Sequence, residues 1–398
     1  MDSAALGRFA DLAVEFGANV QPGQIVSIGA AIGQESVVRA VAEKAYRRGA
    51  RFVDPLYFDP LVKRIRIEHA VEETLDFVPH WYGDRVLALG EAEAALIALS
   101  PRVPPDLLSG LDATRAGRDQ LPQLKELTRV INDRTVNWTV VPVPSTEWAV
   151  LAHPELGPQA ALERLEQEVA HVCRLDEADP VASWESRMDL LASVSQRLTE
   201  RRFDAMHLEG PGTDLTVGLL PSSSWLTARF STKHGLEHMV NIPSEEIFTT
   251  PDPERVDGVV RSTKPLSLGG TLVDGLTVRF EGGRAVGIHA EQGEEALRGY
   301  AAKDEGAARL GELALVDSES RVGRAGTVFS DTLLDENAAS HIALGQAYAF
   351  PVGDDDSGRI NTSQIHVDFM IGSDEVAVTG LTAAGERVPV LRKGVWAI

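Results

Sequence analysis

The chain is short of several things, and each shortage narrows what it can be. Its 398 residues include one cysteine, Cys173, so an internal disulfide framework and a thiolate metal cluster are both excluded. No stretch approaches the roughly 18 uninterrupted apolar residues of a membrane-spanning helix. The opening Met1-Asp2-Ser3-Ala4-Ala5-Leu6-Gly7-Arg8 has no basic start followed by an apolar run, so no secretory leader is expected. Basic residues are scarce too: 38 Lys and Arg stand against 59 Asp and Glu, a formal charge of −21. That balance repels phosphate backbones and anionic bilayers, arguing against nucleic acid and membrane partners. It favours approach by cations, including metal ions and the amino end of a peptide. Together these absences predict a cytoplasmic protein.

What remains is ordinary globular composition, 43% apolar and 24% charged. The length exceeds one hydrophobic core, so two domains are expected. The pattern predicts an α/β chain: a parallel-sheet α/β domain over residues 1–202, then a β-rich α+β metal-binding domain over 203–398. In the first part, the turn-like Gln21-Pro22-Gly23 precedes the strand-like Gln24-Ile25-Val26-Ser27-Ile28. Val37, Val38, Val41 and Ala45 then recur at helical spacing, Gly49-Ala50 punctuates, and Arg51-Phe52-Val53-Asp54 begins a second strand. Such β-α-β alternation points to a parallel sheet covered by helices. Residues 85–89, 95–99 and 138–143 are further strand candidates, and 157–174 and 182–202 read as helices. The turn between Gly29 and Gly33 lacks both Gly-x-Gly-x-x-Gly and the Lys-Ser/Thr of a P-loop, so it reads as a plain connection rather than a nucleotide site.

From Phe203 the character changes to short strands separated by turns, at residues 214–217, 276–280, 285–289, 312–316, 364–371 and 375–380. Glu281-Gly282-Gly283-Arg284 between two of them is a hairpin signal. Metal-binding side chains gather in this half. His366 and Asp368 have i, i+2 spacing, which on a strand sends both to one face while Ile365, Val367, Phe369 and Ile371 line the other. A buried His and Asp need each other or a metal; a hydrogen-bonded structural pair is the plain alternative. Asp335-Glu336-Asn337-Ala338-Ala339-Ser340-His341 has helical composition, with Asp335 placed to cap and Tyr348 two turns beyond His341 on the same face. A histidine there is also compatible with an ordinary core or surface role. Glu245 and Glu246 sit between Pro243 and Pro251 in a rigid, non-helical setting where one glutamate points inward and the other to solvent. Glu312, alone, would be an edge-strand carboxylate. As a set, two histidines and three carboxylates suit a pair of divalent cations, and a metal-dependent hydrolase is the leading reading.

Two decoys are set aside. His234-Gly235-Leu236-Glu237-His238 matches a His-x-x-Glu-His zinc motif by letter, but the motif requires a helix, which Gly235 and the nearby Pro243 oppose. His289 and Glu291 have strand-like spacing without a third partner and read as a hairpin edge.

The segments Gly212-Thr213-Asp214-Leu215, Asn241-Ile242-Pro243-Ser244-Glu245-Glu246-Ile247-Phe248-Thr249, residues 335–345 and His366-Val367-Asp368 together resemble the M29 family of metallopeptidases, the thermophilic aminopeptidase T and aminopeptidase S group. The likeness is strongest over residues 210–372. It implies two divalent metal ions, zinc or cobalt first with manganese or magnesium as alternatives, held by Glu246, Glu312, His341, His366 and Asp368. It selects Glu246 over Glu245 as the ligand and gives Tyr348 the stabilisation of a developing oxyanion. Glu312 would serve as both ligand and proton shuttle. The implied activity is removal of N-terminal residues from peptide substrates by a homodimer. Ser244, where the family more often has threonine, and the charged stretch Gly353-Asp354-Asp355-Asp356-Ser357-Gly358 are local departures that bear on substrate preference. A two-metal hydrolase of a non-peptide amide is the alternative, and a metal-stabilised binding protein without turnover is a third reading.

Overall fold

Four strands, β1 (Ile25–Ala31), β2 (Phe52–Phe58), β3 (Ala95–Ser100) and β4 (Asn137–Pro142), form a parallel sheet in the order β2-β1-β3-β4. The structure is a computed structural model describing residues 3–101, 107, 108, 110–119, 121, 122, 124–268 and 271–398. The helix Glu35–Arg47 buries Val37, Val38, Val41 and Ala45, the stripe its spacing predicts. It ends at Gly49, whose φ of +95° is the left-handed position that glycine enters without a Cβ penalty. Residues 29–33 pass from β1 through a turn into this helix, the ordinary strand-to-helix connection expected.

Residues 85–89 correct the sequence reading, because they lie inside the helix His80–Glu91. The four-residue apolar run 86–89 carries no decisive periodicity. Here Leu87, Ala88 and Leu89 are good helix formers, and only Val86 favours a strand.

Two compact units are present: residues 1–184 with 228–243, and residues 185–227 with 244–398. The helix Pro180–Arg201 contains the chain position where the first gives way to the second. The division expected at 202/203 lies at that helix's C-terminal end. Within the first unit, residues 228–243 pair Arg229–Ser231 with Glu237–Met239 and bridge Asn241 to Val140 of β4.

The second unit holds two larger sheets. One is an eight-stranded antiparallel sheet in the order Arg284–His289, Thr277–Glu281, Pro251–Arg261, Thr213–Leu219, Ala205–Gly210, Ala377–Leu381, Arg387–Arg392, Val395–Trp396. Its expected hairpin is made by Gly282 and Gly283, with φ of +54° and +80°, the paired left-handed residues of a tight hairpin turn. The other is a four-stranded antiparallel sheet of β5 (Glu246–Thr249), β6 (Leu310–Val316), β7 (His341–Gly345) and β8 (His366–Met370), ordered β8-β7-β6-β5. Leu313, Leu315, Ile342, Leu344 and Phe369 are wholly buried and anchor it.

Candidate metal centre

The register of the four-stranded sheet decides which side chains meet. Ala314 pairs with both Phe248 and His341, Glu312 with Ala343, Ala343 with Asp368, Gly345 with His366, and Val316 with Glu246. Residues directly opposite share a face and alternate residues along a strand return to it. Glu246, Glu312, His341, His366 and Asp368 therefore all project from one face, at least one from each strand.

Their atoms converge. His341 Nε2 lies 3.2 Å from Glu246 Oε2 and 3.9 Å from Glu312 Oε1. His366 Nε2 lies 3.4 Å from Glu312 Oε2 and 3.3 Å from Asp368 Oδ1. Two ligand-like groups result, Glu246–Glu312–His341 and Glu312–His366–Asp368, each with its donor atoms within 4.8 Å of one another. Glu312 belongs to both, with one oxygen toward each histidine. It stands on an interior strand rather than at a sheet edge.

Backbone carbonyls orient the imidazoles. His341 Nδ1 donates to the Ala339 carbonyl at 3.1 Å and His366 Nδ1 to the Gln346 carbonyl at 2.7 Å. A ring nitrogen facing a carbonyl must carry the proton, so each Nε2 presents its lone pair to the cluster in the neutral form.

The electrostatics call for positive charge. Burial first, and then the Glu312 and Asp368 carboxylates, push the Glu246 carboxyl up to about 7 against the pull of His341. Glu336 rises well above the usual carboxylate range through burial and the charges of Glu246, Asp368 and Glu312. Burial opposes protonation of His341 and His366, but the surrounding carboxylates outweigh it and raise both. Asp368 is lowered because His366 and His341 overcome its burial. Glu246 Oε2 and Asp368 Oδ1 are buried without a hydrogen bond. His341 Nε2 and His366 Nε2 stand at ion-pair distance from these two oxygens. Buried polar oxygens need a partner, and an N and O donor set with no thiolate suits a divalent cation.

The segment before His341 departs from expectation. Thr332–Asp335 is a single helical turn, Glu336–Ala338 a 3-10 turn, and His341 begins β7. His341 and Tyr348 thus do not share a helix face. Acidic and alanine-rich composition favours a helix locally, but pairing with β6 and β8 dominates. Tyr348 still reaches the site from the following segment: its ring is 5.4 Å from that of His366 and 5.9 Å from Phe248. The residue is 45% exposed, while burial of its phenol end and the Glu312, Glu336 and Asp368 charges hold the hydroxyl well above its usual range.

Both glutamates of the Glu245-Glu246 pair are inside, which corrects the expectation that one faces solvent. Glu245 is fully buried and accepts from Arg187 Nε at 2.7 Å. Glu336 is an acidic residue that the sequence reading did not single out, since its stretch reads locally as the start of a helix. The decoys fall outside the cluster. His234 pairs with Glu93, His238 lies on a short strand after Gly235 at φ +83°, and His289 ends an edge strand.

A family model described as thermophilic metalloprotease (M29) matches residues 2–396. The chain belongs to that family. This metalloprotease is 44% identical to aminopeptidase T of Thermus aquaticus over 99% of its own length and 98% of the relative. It is 38% identical to aminopeptidase AmpS of Bacillus subtilis, covering 99% of both chains. Among solved structures it is similar to wild-type AmpT from Thermus thermophilus, with a TM-score of 0.92 at 42% identity over 99% of each chain. The expected fold, a parallel-sheet α/β part followed by an antiparallel β-rich part, agrees with that likeness. No helix among the described residues is long and apolar enough to cross a membrane.

Proposed function

We propose that this metalloprotease is an aminopeptidase that removes N-terminal residues from peptides, using two divalent cations held by Glu246, Glu312, His341, His366 and Asp368. The observation that carries this reading is the pair of overlapping donor groups with Glu312 common to both. Names of the relatives at 34–44% identity, all aminopeptidases, support it. Zinc or cobalt suits the mixed nitrogen and oxygen donors best, with manganese or magnesium as alternatives. When bound, such ions supply Lewis acidity, lowering the pKa of water and polarising an amide carbonyl.

The side chains divide the remaining work. His341 and His366 keep their Nε2 lone pairs aimed by the Ala339 and Gln346 carbonyls. The Glu312 carboxylate accepts the proton of the attacking water and passes it to the leaving amine. The Tyr348 hydroxyl stays protonated and donates to the carbonyl oxygen as negative charge develops there. A homodimer in the cytoplasm completes the reading. Exposed Phe52, Leu61, Ile65, Phe77 and Trp81 of the first unit offer apolar area for a second copy to cover.

The deciding experiment incubates chelated protein with leucine p-nitroanilide, with and without added zinc or cobalt, beside His341→Ala. Metal-restored cleavage in the wild type alone is expected. No cleavage above the His341→Ala level sinks the aminopeptidase, and preferential cleavage of an N-acylated substrate turns it into an amidase.

A further inference from the structure

A second cluster of ionisable side chains lies where β5 and β6 end, one residue along the chain from the candidate ligand Glu246. Val316 and Glu246 are the last residues in register between β6 and β5. Asp317 and Glu245 are the next residues along the chain beyond that pair, and their carboxylates converge on one guanidinium. Their exposures are 5% and 0%. Like charges this close repel each other, and burial sharpens the repulsion.

Arg187 stands between them. Its Nη1 and Nη2 donate to Asp317 Oδ2 and Oδ1 at 2.9 and 2.8 Å, and its Nε to Glu245 Oε2 at 2.7 Å. Nη2 also reaches the Glu245 carbonyl at 3.3 Å. Only a planar guanidinium offers this fork to two carboxylates at once. The arginine sits in the apolar stripe Met188, Leu191, Val194 and Leu198 of the helix Pro180–Arg201, all at most 1% exposed, where a charge is tolerated only with such partners. A second tie fixes the same segment: Asn337 Oδ1 accepts the Glu245 N–H at 2.6 Å, and the Asn337 carbonyl accepts from Ser320 Oγ at 2.6 Å.

We propose that Arg187 is a positioning residue for the metal centre: by holding Asp317 and Glu245 together it fixes the end of β5 from which Glu246 presents its carboxylate. This rests on the metal-centre reading above. Arg187 touches no candidate ligand side chain and acts through the pairing of the two strands. Without it, the two carboxylates separate, and Glu246 leaves the oxygen position that His341 faces.

The test is calorimetric titration of zinc alone into chelated protein, with kcat and KM on leucine p-nitroanilide alongside. Arg187→Met is expected to bind zinc about 10–100-fold more weakly, with kcat falling more than KM rises. Adding Asp317→Asn to that variant removes the repulsion and is expected to return most of the zinc affinity. An arginine that merely packs would lower the melting temperature, leave zinc affinity unchanged and gain nothing from Asp317→Asn. Wild-type zinc affinity in Arg187→Met overturns the proposal while leaving the metal-centre reading intact. Failure of the wild type to bind zinc overturns both. If Arg187→Met does not fold, the double variant decides: folding with near wild-type zinc affinity supports the proposal, and failure to fold or to bind overturns it.

Discussion

Replacing Glu246 by glutamine is expected to stabilise the metal-free protein at alkaline pH while abolishing its response to metal. The Glu246 carboxyl is pushed from its ordinary 4.5 to about 7, by burial first and then by Glu312 and Asp368 against the pull of His341. That gap corresponds to on the order of 3 kcal/mol between the protonation states. Below pH 4.5 the folded and unfolded chains both carry the proton, and no penalty exists. As pH rises from 4.5 to about 7, the unfolded chain releases a proton that the folded chain keeps, so stability falls. Above that range the whole penalty is present. Glutamine has no charge to desolvate or repel, so in chelator at pH 8.5 the variant should melt higher by roughly 6–12 °C, at about 2–4 °C per kcal/mol for a unit of this size. At pH 4 the two proteins should melt together. Added zinc then reverses the order: the wild type gains stability by mass action and the variant gains little. Thermal melts followed by circular dichroism, at both pH values with and without zinc, measure all four states. A variant melting at or below the wild type in chelator at pH 8.5 would refute the electrostatic account of the cluster.

Two further outcomes follow from the same structure. Tyr348→Phe keeps the ring against Phe248 and His366 and removes the donor, so kcat should fall about 10²–10³-fold with KM little changed; a loss confined to KM would remove the hydroxyl from the reaction. His238 is buried, its Nε2 lacks a hydrogen bond, and burial lowers its pKa to about 4 from 6.5. Here the unfolded chain gains a proton first as pH falls, so stability should decline from pH 6.5 down to about 4 by on the order of 3 kcal/mol. His238→Phe should flatten that slope in urea titrations, and an unchanged slope would assign acid sensitivity elsewhere.

The legible parts of the fold and site are those written in local periodicity. His366 and Asp368 announce a shared strand face two residues apart, and the apolar stripe of Glu35–Arg47 announces its buried side. What stayed hidden depends on distant pairing. Residues 335–341 have the composition of a helix start, and nothing local says that His341 will join β6 and β8. Glu245 looks like a solvated acid because its partner lies far along the chain: Arg187 is 58 residues from it. One signal was available. A lone arginine within an otherwise apolar helical stripe, as Arg187 is, asks for buried carboxylates somewhere else in the sequence.

Drawing the candidate ligands from all four strands of one antiparallel sheet ties metal capture to the completion of folding. Neighbouring strands lie about 4.8 Å apart, so the sheet itself sets the spacing between donors. A slip of one residue in any pairing would turn that strand's donors to the opposite face. In the unfolded chain only His366 and Asp368 are neighbours, and two donors grip an ion weakly. An ion held by these five residues would bind well only where every strand has found its register, so metal uptake would read out whether the four-stranded sheet has paired correctly.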